Sequence, residues 1–310
     1  MFKSLVSVSP NLHSKAVNYL QWNSDGNYLG SVSIPEKTVK ISQLDSKSMN
    51  AKVLHTVPCS NVPAAVCWHP TDPIRFAICG DDKTVDIWDV RASKAVSKIP
   101  TSGQNINMSW SPNGKNIAVT NRNDNLVILD VAESKQVKPI KFLYEINELV
   151  WTNNSDHILL ASAGADLGCI EFMKYNDESV TLIDSINCHT SNCYCIKIDP
   201  TYTKLCCGSV DHTVSIWDLD DLICYCSVPL EAPVRCVSFN HNGNYIVAST
   251  DNPKINVIDS AKGTIVSVIE TTYNVNSVAF HPKFDLLATA IDDRSGKSSP
   301  AYVKLYSNKM

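Results

Sequence analysis

The chain has 310 residues, of which 44% are hydrophobic and 19% are charged, and its net charge at pH 7 is −4. This composition is typical of a folded protein with a large buried core and excludes an intrinsically disordered chain. The slightly acidic balance, without a basic face, disfavours direct binding to bare nucleic acid.

A pattern of short apolar runs recurs along the whole chain, beginning near residue 18. Each repeat opens with an alternating run that ends in one large apolar residue, which we call the pivot. The pivots are Trp22, Trp68, Trp110, Trp151, Ile198, Phe239 and Phe280. Successive pivots are 46, 42, 41, 47, 41 and 41 residues apart.

The residues after a pivot predict three more strands in each repeat. In the third repeat a turn, "SPNGK" (111–115), leads into an apolar run, "NIAVT" (116–120), and then into "NLVIL" (125–129). A fourth run, such as "TIVSVIE" (264–270), precedes the next repeat. Period-two alternation between turns indicates strands. Four short strands repeated every 41–47 residues are typical of a propeller blade. We therefore predict an all-β fold, a single seven-bladed β-propeller that spans residues 1–310.

The last repeat lacks its own outer strand. It ends with the run 302–307, whereas the run "FKSLVSV" (2–8) precedes the first pivot and has no partner there. We expect residues 2–8 to pair with 302–307 and close the ring, because closure removes two exposed sheet edges.

Two repeats contain nearly the same nine residues, "DKTVDIWDV" (82–90) and "DHTVSIWDL" (211–219). The dipeptides Trp88-Asp89 and Trp217-Asp218 resemble those that define the WD-repeat family. The resemblance implies a structural hydrogen-bond network in the fifth blade, formed by His189, Ser209, Asp211 and Trp217. Asp82 and Trp88 take the equivalent positions in the second blade, as Asp166 does in the fourth. Only the fifth blade shows the histidine in this pattern, so its network is expected to be the strongest.

A catalytic interpretation of His189, Ser209 and Asp211 is disfavoured, because their spacing is that of a blade and a serine nucleophile needs an exposed strained turn. The sequence contains no phosphate-binding loop and no H-E-x-x-H, G-x-S-x-G or G-x-G-x-x-G motif. We therefore expect no enzymatic activity, no cofactor and no small-molecule substrate.

Seven of the twelve cysteines lie between residues 188 and 226. Zinc sites usually contain a C-x2-C pair, which is lacking here, so we expect buried core thiols and no metal. A Cys-x-Cys pair such as Cys193 and Cys195 should place both thiols on one face of its strand. Twelve cysteines without an apparent signal peptide predict a reducing compartment, and no apolar run is long enough to predict a membrane span.

Three longer stretches resemble the THO complex subunit 3 family of WD-repeat proteins: "GQNINMSWSPNGKNIAV" (103–119), "INCHTSNCYCIKIDP" (186–200) and "APVRCVSFNHNGNYIVAS" (232–249). The likeness runs from about residue 15 to 307. It implies a nuclear scaffold subunit of the THO (transcription-export) complex that supports mRNA export. Other THO subunits and mRNA-export factors would be its partners, and RNA would be contacted only indirectly.

The WD-repeat resemblance also implies that the residue four positions before each pivot points to the mouth of the central channel. These residues are Asn18, Ala64, Ile106, Asn147, Tyr194, Arg235 and Asn276. The polar members, Asn18, Asn147, Tyr194, Arg235 and Asn276, are candidate partner-binding residues that suit a peptide backbone or a carboxylate. The alternative is that they are ordinary solvated channel residues.

Two other functions compete with the scaffold interpretation. Trp88, Asp89 and Arg91 resemble the Trp-Asp-x-Arg box of substrate receptors for cullin-type ubiquitin ligases. A histone-tail reader that binds through the channel mouth is the third interpretation.

Overall fold

The computed structural model describes residues 5–164, 167–177, 179–293 and 302–308. Within these residues the regular secondary structure is β, in 29 strands and seven sheets. The predicted all-β, seven-bladed propeller is confirmed. Residues 2–4 and Asp166 lie outside the described residues, as do most of residues 292–301, for which the sequence predicts an extended loop.

The first four blades follow one another along the chain after strand β1 (Leu5–Val8). Blade one contains β2 (Tyr19–Trp22), β3 (Tyr28–Ser33), β4 (Thr38–Asp45) and β5 (Asn50–Pro58). Blade two contains β6 (Pro63–Trp68), β7 (Arg75–Gly80), β8 (Thr84–Asp89) and β9 (Ser97–Pro100). Blade three contains β10 (Asn105–Trp110), β11 (Asn116–Asn121), β12 (Asn125–Asp130), β13 (Lys135–Gln136) and β14 (Ile140–Lys141). Blade four contains β15 (Ile146–Trp151), β16 (His157–Ser162), β17 (Gly168–Asn176) and β18 (Ser179–His189).

The remaining three blades repeat the antiparallel order. Blade five contains β19 (Cys193–Ile198), β20 (Lys204–Ser209), β21 (Thr213–Asp218) and β22 (Ile223–Pro229). Blade six contains β23 (Val234–Phe239), β24 (Tyr245–Thr250), β25 (Lys254–Asp259) and β26 (Thr264–Glu270). Blade seven contains β27 (Asn274–Phe280), β28 (Leu286–Asp292), β29 (Val303–Asn308) and β1.

Every pivot is the last residue of the first strand of its blade. The first strands of neighbouring blades contact one another around the axis, so they line the central channel. Seven clusters of buried apolar side chains lie between the blades, one for each pair of neighbours. Because the second strands are covered on both faces, they are almost continuously apolar rather than alternating.

The ring closes as the sequence predicted. Strand β1 pairs antiparallel with β29 in the register Val6↔Ser307, Ser7↔Tyr306 and Val8↔Leu305. The cluster between blades seven and one supplies a second, apolar closure, in which Leu20 and Leu29 of blade one pack with Leu286 and Val303 of blade seven. In the part of the chain that the structure describes, no helix is long and apolar enough to cross a membrane.

Blade three departs from the pattern, because its outer strand is split. Strands β13 and β14 both pair with β12, and Pro139 lies between them. Proline has no N–H to donate to the ladder, which explains the interruption.

Candidate protein-interaction face

The first strand of six blades contains a β-bulge near its start. In each case the unpaired residue is the one four positions before the pivot: Ala64, Ile106, Asn147, Tyr194, Arg235 and Asn276. A bulge disrupts the ladder locally and redirects the side chain of the extra residue. Asn18 directly precedes the first strand of blade one, and its N–H donates to Val32 O at 2.8 Å. We call these seven residues, none of which is fully buried, the mouth ring.

The asparagines of the mouth ring already have partners within the protein. Asn147 Nδ2 donates to the carbonyl of Cys193 at 2.8 Å, and Asn276 Nδ2 donates to that of Val17 at 3.0 Å. Both bonds join neighbouring blades. Asn18 Oδ1 accepts from the N–H of Ile34 at 3.0 Å within blade one. These amides therefore hold the mouth in shape, and a bound peptide would use their remaining hydrogen-bonding capacity.

Arg235 and Tyr194 form the most distinctive pair in the mouth ring. The Arg235 guanidinium lies 5.4 Å from the centre of the Tyr194 ring, within the range of a cation–π contact. Arg235 Nε and Nη2 donate to the two carboxylate oxygens of Asp251 at 2.5 and 3.0 Å. The Arg235 side chain is 39% exposed, so an ordered arginine faces solvent beside an aromatic ring.

The channel below the mouth ring contains a partly buried ion pair. A cavity of about 320 Å³ is lined by first-strand residues of several blades, among them Glu148 and Lys197. The Lys197 ammonium donates to Glu148 Oε1, and Glu148 Oε2 accepts from the N–H of Ile196 at 2.8 Å. Burial lowers the pKa of Lys197, but the charge of Glu148 outweighs it and raises that pKa overall. Lys197 is thus paired with the Glu148 carboxyl group, as a partly desolvated charge requires.

The predicted network in blade five exists, but with a different serine. His189 Nδ1 lies 3.0 Å from Asp211 Oδ2, and His189 Nε2 lies 2.8 Å from Ser215 Oγ, which accepts from Trp217 Nε1 at 2.8 Å. The prediction that the Ser209 side chain belongs to this network is therefore wrong. Its hydroxyl donates instead to the carbonyl of Ser191 at 2.9 Å, which fastens the turn before blade five.

Blade one contains a second histidine–acid network, whose histidine the sequence analysis missed. His13 Nδ1 lies 2.7 Å from Glu36 Oε2, and His13 Nε2 lies 2.7 Å from Ser31 Oγ. Glu36 also accepts from the Ser14 hydroxyl at 2.7 Å. The expectation that only blade five has the histidine is therefore wrong. The spacing in the sequence could have predicted this network, because His13 and Glu36 are 23 residues apart and His189 and Asp211 are 22 residues apart.

The network does not extend to blade two, so the roles predicted for Asp82 and Trp88 need correction. Asp82 is exposed, and within the described residues the buried Trp88 Nε1 has no hydrogen-bond partner. The physical reason is that Asp86 stands where blade five has Ser215, and its carboxylate pairs with Lys98 Nζ at 2.5 Å.

The cysteines do not all behave as the alternation rule predicted. Cys193 packs in the cluster between blades four and five, whereas Cys195 packs in the cluster between blades five and six. The bulge at Tyr194 adds one residue between them and so turns the two thiols to opposite faces. Cys193 instead meets Cys188, with their sulfur atoms 3.4 Å apart.

The Trp-Asp-x-Arg segment forms a local ion pair. Arg91 Nε and Nη2 donate to the two oxygens of Asp89 at 2.9 and 2.6 Å. The arginine side chain is 74% exposed, and Asp89 occupies two of its donor nitrogens.

Six four-stranded blades, a further blade whose outer strand is split, a bulge at the same place in six of the seven and histidine–acid networks in two define the chain as a WD-repeat β-propeller. The family model described as "Nucleolar protein 10-like, N-terminal domain" matches residues 13–303. Among solved structures, the β-propeller domain of Myceliophteria thermophila Cps50 (Swd1) superposes with a TM-score of 0.81. It covers 98% of this chain and 100% of that one at 15% identity, a likeness of fold alone.

Two curated relatives are more similar in sequence. THO complex subunit 3 of Arabidopsis thaliana is 37% identical over 298 residues, 96% of this chain and 93% of that protein. WD repeat-containing protein AAC3 of Dictyostelium discoideum is 30% identical over 76% of this chain and 50% of that protein. The chain therefore belongs to the WD-repeat propeller family that includes THO complex subunit 3.

Proposed function

We propose that the chain is a non-catalytic scaffold subunit of a THO complex, which supports mRNP assembly and nuclear mRNA export through protein–protein contacts. The observation that carries the proposal is the 37% identity to THO complex subunit 3 over almost the full length of both chains. A likeness of that extent exceeds what the shared propeller fold alone requires, since the Cps50 propeller has the same fold at 15% identity.

The mouth ring is the surface that we propose for a protein partner. Tyrosine and arginine are enriched at the energetically dominant positions of protein interfaces. Tyr194 and Arg235 lie in contact at the mouth, and Asp251 holds the guanidinium in place. Because this pair is ordered before binding, a partner would lose less side-chain entropy on association.

RNA contact is proposed to be indirect. The net charge is −4, and in the mouth ring the one cationic side chain, Arg235, is neutralised by Asp251. A surface that binds the phosphate backbone directly depends on several unneutralised cations and has a steep salt dependence. The location that follows from this function is the nucleus.

The experiment is affinity purification of the tagged full chain from nuclear extract, with and without ribonuclease, followed by mass spectrometry. Recovery of THO subunits in both samples is expected, because the contacts are between proteins. Recovery of a cullin adaptor that is lost with Arg91→Ala would instead support the ligase receptor. Recovery of neither, or binding of the isolated chain to RNA with a steep salt slope, would overturn the proposal.

A further inference from the structure

Three thiols and an imidazole meet between blades four and five. Cys188 and His189 end strand β18, Cys193 begins β19, and Cys207 lies in β20. One ligand atom from each of the four residues lies within 4.8 Å of the other three. Of the four residues only Cys188 is not fully buried.

The position of Cys207 explains how the cluster arises. Cys207 in blade five stands where blade one has Ser31, because Ile198 pairs with Leu205 as Trp22 pairs with Leu29. In blade one that serine binds the network histidine. In blade five Ser215, from the next strand, binds His189 instead. The thiol of Cys207 is thereby free to face Cys188 and Cys193.

The geometry fits a tetrahedral metal site. With Zn–S bonds of about 2.3 Å, the ligand atoms of a tetrahedral zinc site lie about 3.8 Å apart. Here Cys188 and Cys193 are 3.4 Å apart, and the whole set spans 4.8 Å. The largest separation exceeds the ideal by about 1 Å, so small side-chain movements would bring the atoms to bonding positions. The lack of a C-x2-C pair disfavoured a zinc site when only the sequence was considered. That objection does not apply to the folded chain, because the four ligands come from three different strands.

The surroundings supply what a metal site needs. A ligating histidine usually donates its other N–H to a carboxylate, and His189 Nδ1 already lies 3.0 Å from Asp211 Oδ2. The nitrogen that would coordinate is Nε2, which would leave Ser215 Oγ. A surface cleft of about 420 Å³, lined by Cys188 and His189, gives an entry path.

The thiols of the cluster interact with one another and so shift one another's pKa. Hydrogen bonds from the thiols of Cys193 and Cys207 lower the pKa of Cys188, and the nearby His189 lowers it further. The same hydrogen bond raises the pKa of Cys193, which therefore stays protonated beside it. A cation bound to these thiols would take the place of the protons that they lose on binding it.

We propose that Cys188, Cys193, Cys207 and His189 bind one Zn²⁺ ion, which clamps blade four to blade five beside the mouth ring. Three thiolates and one imidazole form the Cys3His set of structural zinc sites. The clamp would fix Cys193, whose carbonyl accepts from Asn147 and whose neighbour is Tyr194. Metal binding would in this way order the mouth ring.

The test uses the full chain, purified with reductant, metal-depleted and then titrated with Zn²⁺ and with Co²⁺. We expect one equivalent of zinc per chain by elemental analysis, a thiolate-to-Co²⁺ charge-transfer absorption band, and a rise in the melting temperature on metal addition. The variants are Cys188→Ser and Cys207→Ser. The matched control is Cys206→Ser, because Cys206 is equally buried on the same strand but faces the cluster between blades five and six.

Each cluster variant should lose at least about tenfold in zinc affinity and weaken the charge-transfer band, whereas Cys206→Ser should match the wild type. Cys188 is half-buried, so its serine variant is the one expected to fold normally, and circular dichroism checks this. Substoichiometric zinc on the wild type, or cobalt spectra without a thiolate band, would overturn the proposal without any variant. Undiminished binding by a folded Cys188→Ser protein would also overturn it.

Discussion

The indole Nε1–H of Trp22 in blade one donates to the carbonyl oxygen of Ala279 in blade seven at 3.1 Å. The same bond recurs at the other tryptophan pivots, where each indole reaches the residue directly before the preceding pivot. These bonds are Trp68 to Gln21 at 3.0 Å, Trp110 to Cys67 at 3.3 Å and Trp151 to Ser109 at 3.0 Å. Each tryptophan pivot therefore joins its blade to the preceding one, and the Trp22 bond joins blade one to blade seven, where the ring closes.

Trp22→Phe should destabilise the protein by about 1–2 kcal/mol beyond the effect of the smaller ring, because the Ala279 carbonyl loses its partner. Trp88→Phe is the matched control, since within the described residues the buried Trp88 Nε1 has no partner to lose. Denaturant unfolding of both variants measures the difference. Equal losses of unfolding free energy in the two variants would show that the Trp22 indole hydrogen bond contributes nothing to stability.

Deletion of residues 1–9 should lower the melting temperature and cause self-association. Without β1, strand β29 becomes an unpaired edge in the last blade, and such an edge pairs readily with other chains. Thermal melting and light scattering measure the two effects. A truncated protein that melts and elutes like the full chain would contradict the closure.

Asp211→Ala should cost roughly 1–3 kcal/mol, because His189, Thr213 and the Thr190 N–H all lose a buried acceptor. Asp82→Ala at the equivalent position of blade two should cost little, since Asp82 is exposed. The free energy of unfolding of the two variants is the measurement. Similar values for both would count against a network confined to blades one and five.

The two networks should make stability fall in acid. Burial raises the pKa of Glu36, but hydrogen bonds from Ser14 and His13 outweigh it and lower that pKa from its ordinary 4.5. The pKa of Asp211 is also lowered, from its ordinary 3.8. Burial raises it, but the hydrogen bond from Thr213 and the charge of His189 outweigh that effect. A carboxyl whose folded pKa is lowered stabilises fully above its unfolded pKa and loses that contribution as the pH falls through the folded value.

The melting temperature should therefore drop steeply below about pH 4, and less steeply in a Glu36→Gln, Asp211→Asn double variant. The variant should be less stable than the wild type at pH 7, with the two curves converging in acid. Parallel curves from pH 7 to pH 3 would show that these carboxyls do not cause the acid loss.

Gly114→Ala should destabilise by about 1–3 kcal/mol. Gly114 has a φ of +71°, and a Cβ there would lie 2.4 Å from the His69 ring of the preceding blade. Lys115→Ala, at the exposed neighbouring position, is the control. Thermal melting measures both, and a stable Gly114→Ala protein would show that this turn does not pack against His69 as described.

The repeat-level features were predictable from the sequence because they depend on period and alternation. The pivots end the first strands, and β1 closes the ring, as expected. The side-chain partners were less predictable, because they depend on which strand supplies an atom. Ser215 binds the network histidine of blade five, since Cys207 occupies the position that Ser31 holds in blade one. The bulge at Tyr194 places the thiols of Cys193 and Cys195 on opposite faces of their strand.

The most direct test of the central claim is quantitative co-purification of THO subunits with the full-length chain carrying Tyr194→Ala and Arg235→Ala. Lys262→Ala removes a charge at the opposite end of blade six and is the control. We expect the mouth-ring variant to fold but to lose the partner subunits, whereas the control should retain them. Equal recovery from both would contradict the claim that the mouth ring binds the partner.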